Sequence, residues 1–255
     1  MSDATFDLTG KVALITGSTR GIGLAIAEGM ARAGARVVIS SRKAEACDAV
    51  AADFASRGYV ALAVPCNVGR FDELERLVNT TLARWGRIDI LVCNAAINPV
   101  YGPTASVPDE AFDKIMATNV KSVWKLCNRV IPQMAERRDG AVIVVSSIGA
   151  LHGDPVIGLY CVSKAAKAQL ARNLAVEWGP HIVRVNAILP GLIKTDLSRA
   201  LWSDEKRRST EEARTALKRI GHPQDVAGVA VFLATPAAAF VTGQTIIADG
   251  GQTIA

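Results

Sequence analysis

Short apolar runs alternate along the chain with longer segments in which apolar residues recur at helical spacing. The short runs predict seven strands, at residues 12–16, 36–40, 60–65, 90–93, 141–146, 182–189 and 245–248. The longer segments predict the major helices, within residues 21–33, 44–57, 72–85, 109–137, 156–178, 195–218 and 224–234. Strands and helices that alternate in this way are typical of βαβ units. We predict an α/β fold in which one doubly wound, seven-stranded parallel sheet carries helices on both faces.

The composition favours the same fold and narrows the possible partners. Half of the 255 residues are hydrophobic and only 5% are aromatic, which suits a core of valine, isoleucine, leucine and alanine around a parallel sheet. Lysine and arginine exceed aspartate and glutamate by 29 − 24 = 5, but the charges are scattered. This balance favours a small anionic ligand over nucleic acid. No repeat or linker divides the chain, so residues 1–255 are predicted to form a single domain.

The cysteines and the apolar runs bear on the compartment. Five cysteines, at positions 47, 66, 93, 127 and 161, show neither a C-x-x-C pair nor the spacing of a metal site. We expect reduced core residues and no bound metal. No apolar run reaches the roughly 18 residues that a membrane helix needs, and residues 1–10 lack a basic-then-apolar signal pattern. We therefore expect no membrane partner and a cytoplasmic location.

A glycine-rich turn follows the first predicted strand. It reads Thr16-Gly17-Ser18-Thr19-Arg20-Gly21-Ile22-Gly23 and leads into the first predicted helix. Glycines at such a turn let the backbone approach a pyrophosphate, which the amides at the start of the helix then stabilise. The spacing is G-x-x-x-G-x-G rather than the commoner G-x-G-x-x-G. The turn predicts a dinucleotide site in a Rossmann-fold domain, and a turn without a ligand is the alternative.

The end of the second strand predicts which dinucleotide binds. In dinucleotide folds an acidic residue there binds a free 2′-hydroxyl, whereas a cation accommodates a 2′-phosphate. The chain has Ser40-Ser41-Arg42-Lys43 and no acidic residue at this point. Arg42 could form a bidentate contact with the phosphate, helped by Ser41 and by Arg20 of the glycine turn. NADP(H) is therefore favoured over NAD(H), while Lys43 fits a solvated helix start.

A tyrosine and a lysine four residues apart suggest acid–base chemistry. Tyr160 and Lys164 precede an alanine-rich run, which predicts a helix with both side chains on one face. A cation beside a phenol favours the phenolate, so Lys164 is expected to lower the pKa of Tyr160 from its reference value of about 10. On its own, the pair could equally well lie on the surface of a helix.

Several further motifs follow one another in a fixed order along the chain. The glycine turn is followed by Thr118-Asn119-Val120, by the spacing S-x(12)-Y-x-x-x-K from Ser147 to Lys164, and by Pro190-Gly191-Leu192-Ile193-Lys194-Thr195. In this combination the chain resembles the short-chain dehydrogenase/reductase family. The resemblance covers nearly everything from Leu8 to Gly251.

The resemblance implies a hydride-transfer enzyme with a tyrosine acid/base. Tyr160 would protonate a carbonyl during reduction and deprotonate an alcohol during oxidation, while Lys164 would lower its pKa and bind the nicotinamide ribose. Ser147 would polarise the substrate carbonyl, and the adjacent Ser146 does not fit the family spacing. Asn119 would hold a water that connects Lys164 to solvent.

The resemblance also implies the residues that bind the cofactor. The segment from Pro190 would grip the nicotinamide carboxamide. The implied set is Gly17, Ser18, Thr19, Arg20, Gly21, Ile22, Gly23, Ser41, Arg42, Asn67, Val68, Asn94, Ala95, Tyr160, Lys164, Pro190, Gly191, Ile193 and Thr195.

Two positions depart from the family pattern. The family's N-N-A-G is Cys93-Asn94-Ala95-Ala96 here, and alanine at the glycine position is acceptable unless its φ is positive. A common aspartate that contacts the adenine is Asn67, which keeps a carbonyl acceptor. These changes affect cofactor affinity rather than the reaction.

On the substrate side, the chain resembles the branch of NADPH-dependent carbonyl reductases that act on ketones, dicarbonyls and retinal. Residues 192–214 correspond to the variable substrate lid of the family. Leu192 and His152 are expected to join Ser147 and Tyr160 in contacting the substrate. The implied reaction interconverts a ketone or other carbonyl and a secondary alcohol, with hydride transferred by the cofactor.

Two other functions stay open. A 3-oxoacyl-[acyl-carrier-protein] reductase would need a basic patch for its acidic partner; Arg137 and Arg138 supply part of one, but Pro180-His181 occupies the second docking position. A non-catalytic NADP-binding sensor or scaffold would ordinarily have lost the tyrosine or the lysine.

Family members usually assemble as tetramers, so a homotetramer is the expected state. The small residues Ala165, Ala168, Ala171 and Ala175 would allow the helix of Tyr160 to approach a second copy closely. A buried face within one chain explains these alanines equally well.

Overall fold

Seven parallel strands form a single sheet in a computed structural model that describes residues 4–255. The strands are β1 Val12–Thr16, β2 Arg36–Ser40, β3 Ala61–Ala63, β4 Ile90–Cys93, β5 Gly140–Val145, β6 Val183–Pro190 and β7 Thr245–Ala248. Their order across the sheet is β3-β2-β1-β4-β5-β6-β7. The chain order reverses between β1 and β4, where sheets of this kind open a crevice at the carboxyl ends of the strands. The predicted doubly wound fold is confirmed.

Helices cover both faces of the sheet. They are α1 Gly21–Arg32, α2 Ala44–Ser56, α3 Phe71–Trp85, α4 Asp109–Met116, α5 Ser122–Arg137, α6 Gly158–Trp178, α7 Arg199–Trp202, α8 Glu205–Ala213 and α9 Pro223–Ala234. On one side, α1 and α9 pack on the sheet through residues such as Met30 and Leu233. On the other side, α3, α5 and α6 contribute Leu77, Val130 and Leu174 to a second core.

Strand β1 shows why its apolar run fits this arrangement. Leu14 belongs to the core on one side of the sheet and Ile15 to the core on the other, and neither is exposed. Because successive side chains point to opposite faces, a strand that helices cover on both sides is apolar throughout. All residues of β1 are accordingly buried.

Three predicted elements have different bounds in the structure. The strand predicted over 60–65 contracts to β3 at the edge of the sheet, where Val60 is half exposed. The helix predicted over 109–137 is interrupted by a π-helical turn, Ala117–Lys121. The helix predicted over 195–218 is replaced by α7 and α8, because Asp204 caps a new helix by accepting a hydrogen bond from the backbone N–H of Arg207 (2.9 Å).

The small residues of α6 mostly face the inside of the chain. Ala168, Ala171 and Ala175 belong to the core between α6 and the sheet and are at most 5% exposed. Ala165 alone of the four alanines is exposed. Packing within one chain therefore explains the alanine pattern, which gives no support to a helix contact between copies.

The cysteines are buried, and all five are free thiols. Within residues 4–255, no helix combines the length and the apolar character needed to cross a membrane. In the same part of the chain, no three side chains of the metal-binding types come together as a metal site would require.

Candidate active site

A cavity of about 610 Å³ lies at the carboxyl ends of the strands, beside the point where the strand order reverses. Its walls come from the segments that follow β1 to β6. Predicted cofactor residues in these walls are Gly17, Thr19, Arg20, Gly21, Ile22, Gly23, Ser41, Arg42, Asn67, Val68, Asn94, Ala95, Tyr160, Lys164 and Thr195. Sequence reasoning missed Cys66, Gly69, Arg70, Ala96, Ile97, Asp113, Lys114, Ala117, Thr118, Val145, Ser146, Asp196 and Leu197.

The remaining predicted cofactor residues lie behind the walls. Ser18 is buried; its backbone N–H donates to Ser40 O (3.0 Å) and its hydroxyl donates to Ile15 O (2.8 Å). Ser18 thus fastens the glycine turn to β2 instead of facing the cavity. Pro190, Gly191 and Ile193 hold the segment that leads to Thr195, and Ile193 is itself buried.

The glycine turn is folded too tightly to carry side chains at its key positions. Gly17 and Gly21 have φ values of +69° and +55°, which residues with side chains rarely adopt. A Cβ on Gly23 would lie 2.2 Å from Gly17 O and 2.5 Å from Asn94 Nδ2. Helix α1 begins at Gly21 within the cavity wall, so its first amides and its positive end suit an anionic group.

Positive side chains dominate the charges of the cavity walls. Arg20, Arg42, Arg70, Lys114 and Lys164 line the cavity. Arg42 is exposed and forms no ion pair or hydrogen bond within residues 4–255, and the same holds for the ammonium of Lys114. Arg70 could have been found from the sequence, because it closely follows Asn67, the predicted adenine contact after β3. Lys114 carried no comparable signal, because only the fold brings α4 to the cavity.

Tyr160 and Lys164 lie in the first turns of α6, as predicted. The Lys164 side chain is 3% exposed, and its Nζ lies 5.0 Å from the centre of the Tyr160 ring. Two serines fix this part of the helix: Ser163 Oγ donates to Tyr160 O (2.7 Å), and Ser146 Oγ donates to Lys164 O (2.7 Å). The phenol and the amine therefore share one end of the cavity.

The electrostatics of this pair differ from the expectation. Burial raises the pKa of Tyr160 to about 12, and a contact with the Ser147 hydroxyl opposes this rise. Burial also lowers the pKa of Lys164 to about 8. The expected lowering of the tyrosine pKa by Lys164 is wrong for the chain on its own, because the ammonium lies over the ring and desolvation dominates. The phenol is protonated at neutral pH.

The two serines after β5 are distinguished by their hydrogen bonds. Ser146 donates its hydroxyl proton to the backbone of α6 and is buried. Ser147 accepts from the backbone N–H of Gly149 (3.2 Å) and thereby caps a short 3₁₀ turn. An accepted bond leaves the Ser147 proton available for donation, whereas the Ser146 proton is already donated. Of the two, however, it is Ser146 that lines the cavity, so the role of Ser147 at a carbonyl stays a prediction.

Asn119 lies in the π-helical turn and is fully buried. Its Oδ1 accepts from Ile97 N (2.9 Å), and its Nδ2 donates to Ile97 O (3.0 Å) and to Ser163 Oγ (3.0 Å). Both amide protons are thus committed to the loop after β4 and to α6. The side chain positions the surroundings of Lys164, and the water-holding role stays a prediction.

The other two asparagines also bond within the chain. Asn94 Nδ2 donates to Thr16 O (2.9 Å) and Gly17 O (3.2 Å), which ties the end of β4 to the glycine turn. Asn67 Oδ1 accepts from Gly69 N (3.1 Å), so one lone pair of the predicted adenine acceptor is already used. Ala96 does not have a positive φ, and its replacement of the family glycine causes no strain.

Thr195 is held firmly at the start of the lid. Its backbone N–H donates to Ser198 Oγ (3.2 Å), its hydroxyl lies 3.1 Å from the same atom, and its carbonyl accepts from Trp202 Nε1 (2.9 Å). Lys194 Nζ lies 5.1 Å from the centre of the Trp202 ring. These contacts hold Thr195 in the cavity wall beside the glycine turn.

The predicted substrate residues are only partly brought together. Tyr160 lines the cavity, whereas Ser147, His152 and Leu192 do not. His152 is exposed and its Nδ1 lies 3.1 Å from Gly153 O, so it has no partner that marks a binding role. Leu197, an apolar residue of the lid segment 192–214, does line the cavity.

A second buried lysine lies one turn further along α6. Lys167 is fully buried, and its Nζ donates a long hydrogen bond to Cys93 O (3.4 Å). Burial lowers its pKa well below the ordinary value. It faces the core rather than the cavity and had no signal in the sequence.

The residues present fit a nicotinamide dinucleotide. Helix α1 begins at the glycine turn and offers its first amides to a pyrophosphate, the cations supply charge for phosphates, and Lys164 holds a desolvated amine next to Tyr160. This arrangement can bind an anionic dinucleotide at one end and place an acid at the other.

Comparisons with known proteins identify the family. Residues 17–253 match the family model described as Enoyl-(Acyl carrier protein) reductase. The chain is 44% identical over 244 residues to dehydrogenase/reductase SDR family member 4 of Sus scrofa, covering 96% of this chain and 88% of that protein.

Solved structures agree with the fold. A putative gluconate dehydrogenase from Agrobacterium tumefaciens superimposes with a TM-score of 0.95 at 33% identity, covering 99% of this chain and 100% of that one. A gluconate 5-dehydrogenase from Burkholderia cenocepacia J2315, in complex with NADP and tartrate, gives 0.94 at 34% identity, with 99% and 98% covered. The chain therefore belongs to the short-chain dehydrogenase/reductase family, whose members are oxidoreductases that use a nicotinamide cofactor.

Proposed function

We propose that this enzyme uses NADP(H) to interconvert a ketone or other carbonyl and a secondary alcohol, with Tyr160 as the acid/base. The observation that carries the proposal is the pairing of a protonated, partly buried phenol with the buried amine of Lys164 at one end of a cation-lined cavity. A carbonyl reduction needs a proton donor at the oxygen and a hydride donor at the carbon. The bound cofactor supplies the hydride chemistry.

The chain's own residues supply the proton and the orientation. In reduction, Tyr160 gives its hydroxyl proton to the carbonyl oxygen, and Ser147 donates a hydrogen bond to the same oxygen as negative charge develops there. Lys164 supplies a cation for the phenolate that forms and binds the nicotinamide ribose. Asn119, with a water, connects Lys164 to solvent for reprotonation. In oxidation the phenolate takes the proton of the alcohol.

The preference for NADP(H) is supported by charge. Arg42 is exposed in the cavity wall after β2, and no acidic residue follows that strand. Arg42 has no partner among residues 4–255, so its guanidinium is available to a 2′-phosphate. One structural relative at 34% identity was solved with NADP, which is consistent with this choice.

The preference is tested by Arg42→Ala, measured by steady-state kinetics with both cofactors. Loss of a hydrogen-bonded charge contact, worth roughly 1.5–3 kcal/mol, is expected to raise the KM for NADPH about ten- to hundredfold and to change that for NADH little. Lys43→Ala is the matched control, because Lys43 is also exposed but does not line the cavity. Equal effects of Arg42→Ala on both cofactors would contradict the 2′-phosphate role.

The substrate is proposed to be a free carbonyl compound and is tested by a substrate panel. NADPH-dependent turnover of small aromatic ketones and α-diketones is expected to exceed that of an acetoacetyl thioester. The matching family model carries an acyl-carrier-protein description, which favours the 3-oxoacyl reductase as a second candidate. Against it, Arg137 donates to Ile88 O (3.0 Å) at the opposite edge of the sheet from the cavity. A strong preference for the thioester would select this second candidate.

Assembly and location complete the proposal. We propose a homotetramer that assembles through α5 and α6, supported by the exposed Trp124 and Val162 on these helices. We also propose a cytoplasmic location, supported by the five free cysteines. Light scattering of the purified protein at micromolar concentration tests the tetramer. A monomeric mass would contradict it.

A further inference from the structure

An ion pair joins the glycine turn to the start of the lid. Arg20 Nη1 lies 3.2 Å from Asp196 Oδ2, although the two residues are 176 positions apart. Both residues line the cavity. Beside them, a Cβ on Gly21 would lie 3.2 Å from Thr195 Cγ2, so the glycine turn and the start of the lid are close neighbours with no room for a larger residue between them. The ion pair therefore connects the glycine turn to the start of the lid at the cavity wall.

The Asp196 carboxylate contacts Arg20, while the residue before it is fixed by the lid. Thr195, its neighbour, is fixed by Ser198 and by Trp202 Nε1 (2.9 Å). Within residues 4–255, the Asp196 carboxylate accepts no hydrogen bond other than the one from Arg20. The lid segment thus presents this carboxylate to Arg20 and to no other cation of the chain.

A carboxylate such as that of Asp196 is unexpected in the wall of a cavity that is proposed to bind an anion. The cavity walls contain Arg20, Arg42 and three further cations, but only two carboxylates, Asp113 and Asp196. Asp113 forms no ion pair within the described chain, whereas Asp196 neutralises one of the arginines that a 2′-phosphate could use. A guanidinium that is bonded to a carboxylate on the lid side has to break that contact before it can turn towards the β2 side.

We propose that Asp196 determines cofactor specificity by competing with the 2′-phosphate for Arg20. This inference rests on the proposed use of NADP(H). In the wild-type chain, Arg42 binds the 2′-phosphate, while Arg20 stays bonded to Asp196. Removal of the Asp196 charge releases Arg20 and strengthens binding of ligands that carry a 2′-phosphate. Because the pair is exposed, the gain is expected to be about two- to fivefold in affinity.

The experiment measures binding by isothermal titration calorimetry, without turnover. The probes are adenosine 2′,5′-bisphosphate, which carries the 2′-phosphate, and adenosine 5′-monophosphate, which lacks it. Asp196→Asn is expected to tighten the bisphosphate about two- to fivefold and the monophosphate less. Asp113→Asn is the matched control, because it removes the other carboxylate of the same walls; it should leave the ratio of the two affinities unchanged.

A second background shows whether Asp196 acts through Arg20. In Arg20→Ala, the additional change Asp196→Asn is expected to leave the ratio of the two affinities unaltered. The inference is overturned if Asp196→Asn weakens both probes, as a simple clasp would, or if its effect persists without Arg20.

The outcome also separates this inference from the proposed function. The NADP(H) preference would be contradicted if the wild type bound the two probes with equal affinity and Arg42→Ala did the same. If Asp196→Asn then created a preference for the bisphosphate, competition for Arg20 would still be supported. If it did not, both proposals would fall.

Discussion

Charged residues at the two edges of the sheet differ in their ion-pair partners. At the amino edge, where β1, β4 and β5 begin, Asp89 is 2% exposed and accepts from Arg87 Nε (2.9 Å), with Arg137 Nη2 3.6 Å away. Lys11 pairs with Asp139 (2.6 Å) at the same edge. At the carboxyl edge, the cations Arg42, Lys114 and Lys164 line a cavity without an ion-pair partner among residues 4–255.

This difference separates charges that hold the fold from charges that await a ligand. At the amino edge a buried carboxylate also accepts from Val12 N (2.8 Å), so Asp89 joins the start of β1 to the start of β4. At the carboxyl edge the buried amine of Lys164 gains no such partner, and its pKa falls to about 8. We infer that substitutions at one edge should change stability and those at the other should change function.

The largest effect is expected from Tyr160→Phe at the carboxyl edge. The change removes the only proposed proton donor, and general acid catalysis contributes roughly 10²- to 10⁴-fold. Steady-state turnover of the best ketone with NADPH should fall by that factor, while cofactor binding stays within about twofold. Because the hydroxyl faces the cavity, the free energy of unfolding should be unchanged within about 0.5 kcal/mol.

Two results would contradict this expectation. Turnover within tenfold of the wild type would remove Tyr160 from the mechanism. Oxidation of NADPH that is absent from the wild type as well, despite tight cofactor binding, would instead favour a sensor or scaffold.

The next largest effect is expected from Asp89→Asn at the amino edge. Removing one partner of a buried ion pair costs roughly 3–5 kcal/mol, because the remaining charge is left uncompensated. Arg137 then loses its carboxylate and Arg87 keeps only Asp139, 3.7 Å away, so urea unfolding should show a loss of about 3 kcal/mol, near the lower end since Arg87 is partly exposed. The kcat per folded molecule should not change.

Asp139→Asn is the matched control at the same edge. Asp139 bonds Lys11 and lies 3.7 Å from Arg87, but it is about half exposed, and exposed pairs contribute only about 0–1 kcal/mol. Its smaller loss should disappear in high salt, whereas that of Asp89→Asn should persist. A loss of kcat in Asp89→Asn at full folding would show that the two edges are coupled, contrary to the comparison.

The sequence predicted what local patterns determine. β1, β2 and β4 have the bounds predicted from their apolar runs, because a strand buried on both faces is mostly apolar and polar residues are confined to its ends. The glycine turn and the pair Tyr160 and Lys164 were recognised because their chemistry depends on short spacing. Both sets of residues meet in one cavity, as the fold class implies.

The sequence could not predict what depends on distant packing. The pKa of Tyr160 rises instead of falling, because its value is set by the residues that bury the ring rather than by the lysine four positions away. The ion pair of Arg20 and Asp196 joins segments 176 positions apart, and no spacing marks it. Lys167 resembles any helical lysine in the sequence, yet it is fully buried.

The comparison is sharpened by Lys164→Met, which should increase stability while it abolishes turnover. Burial lowers the pKa of Lys164 from 10.5 to about 8, so in the unliganded chain the charged amine is destabilising at neutral pH. Each pKa unit corresponds to about 1.4 kcal/mol, so the gain on replacing the amine is at most about 3.5 kcal/mol. Lys167→Met is the matched control: it also removes a buried amine, but turnover should be retained.

The sign of the pH dependence distinguishes this cause from better packing. Between about pH 8 and 10.5 the unfolded chain binds the Lys164 proton and the folded chain does not, so the stability of the wild type rises with pH in this window. The advantage of Lys164→Met should therefore be largest below pH 8 and shrink towards pH 10.5, as measured by urea unfolding without cofactor. A gain that is independent of pH would mean that methionine merely packs better. A shrinking gain would show that the carboxyl edge gives up stability to keep a cation ready for its ligand.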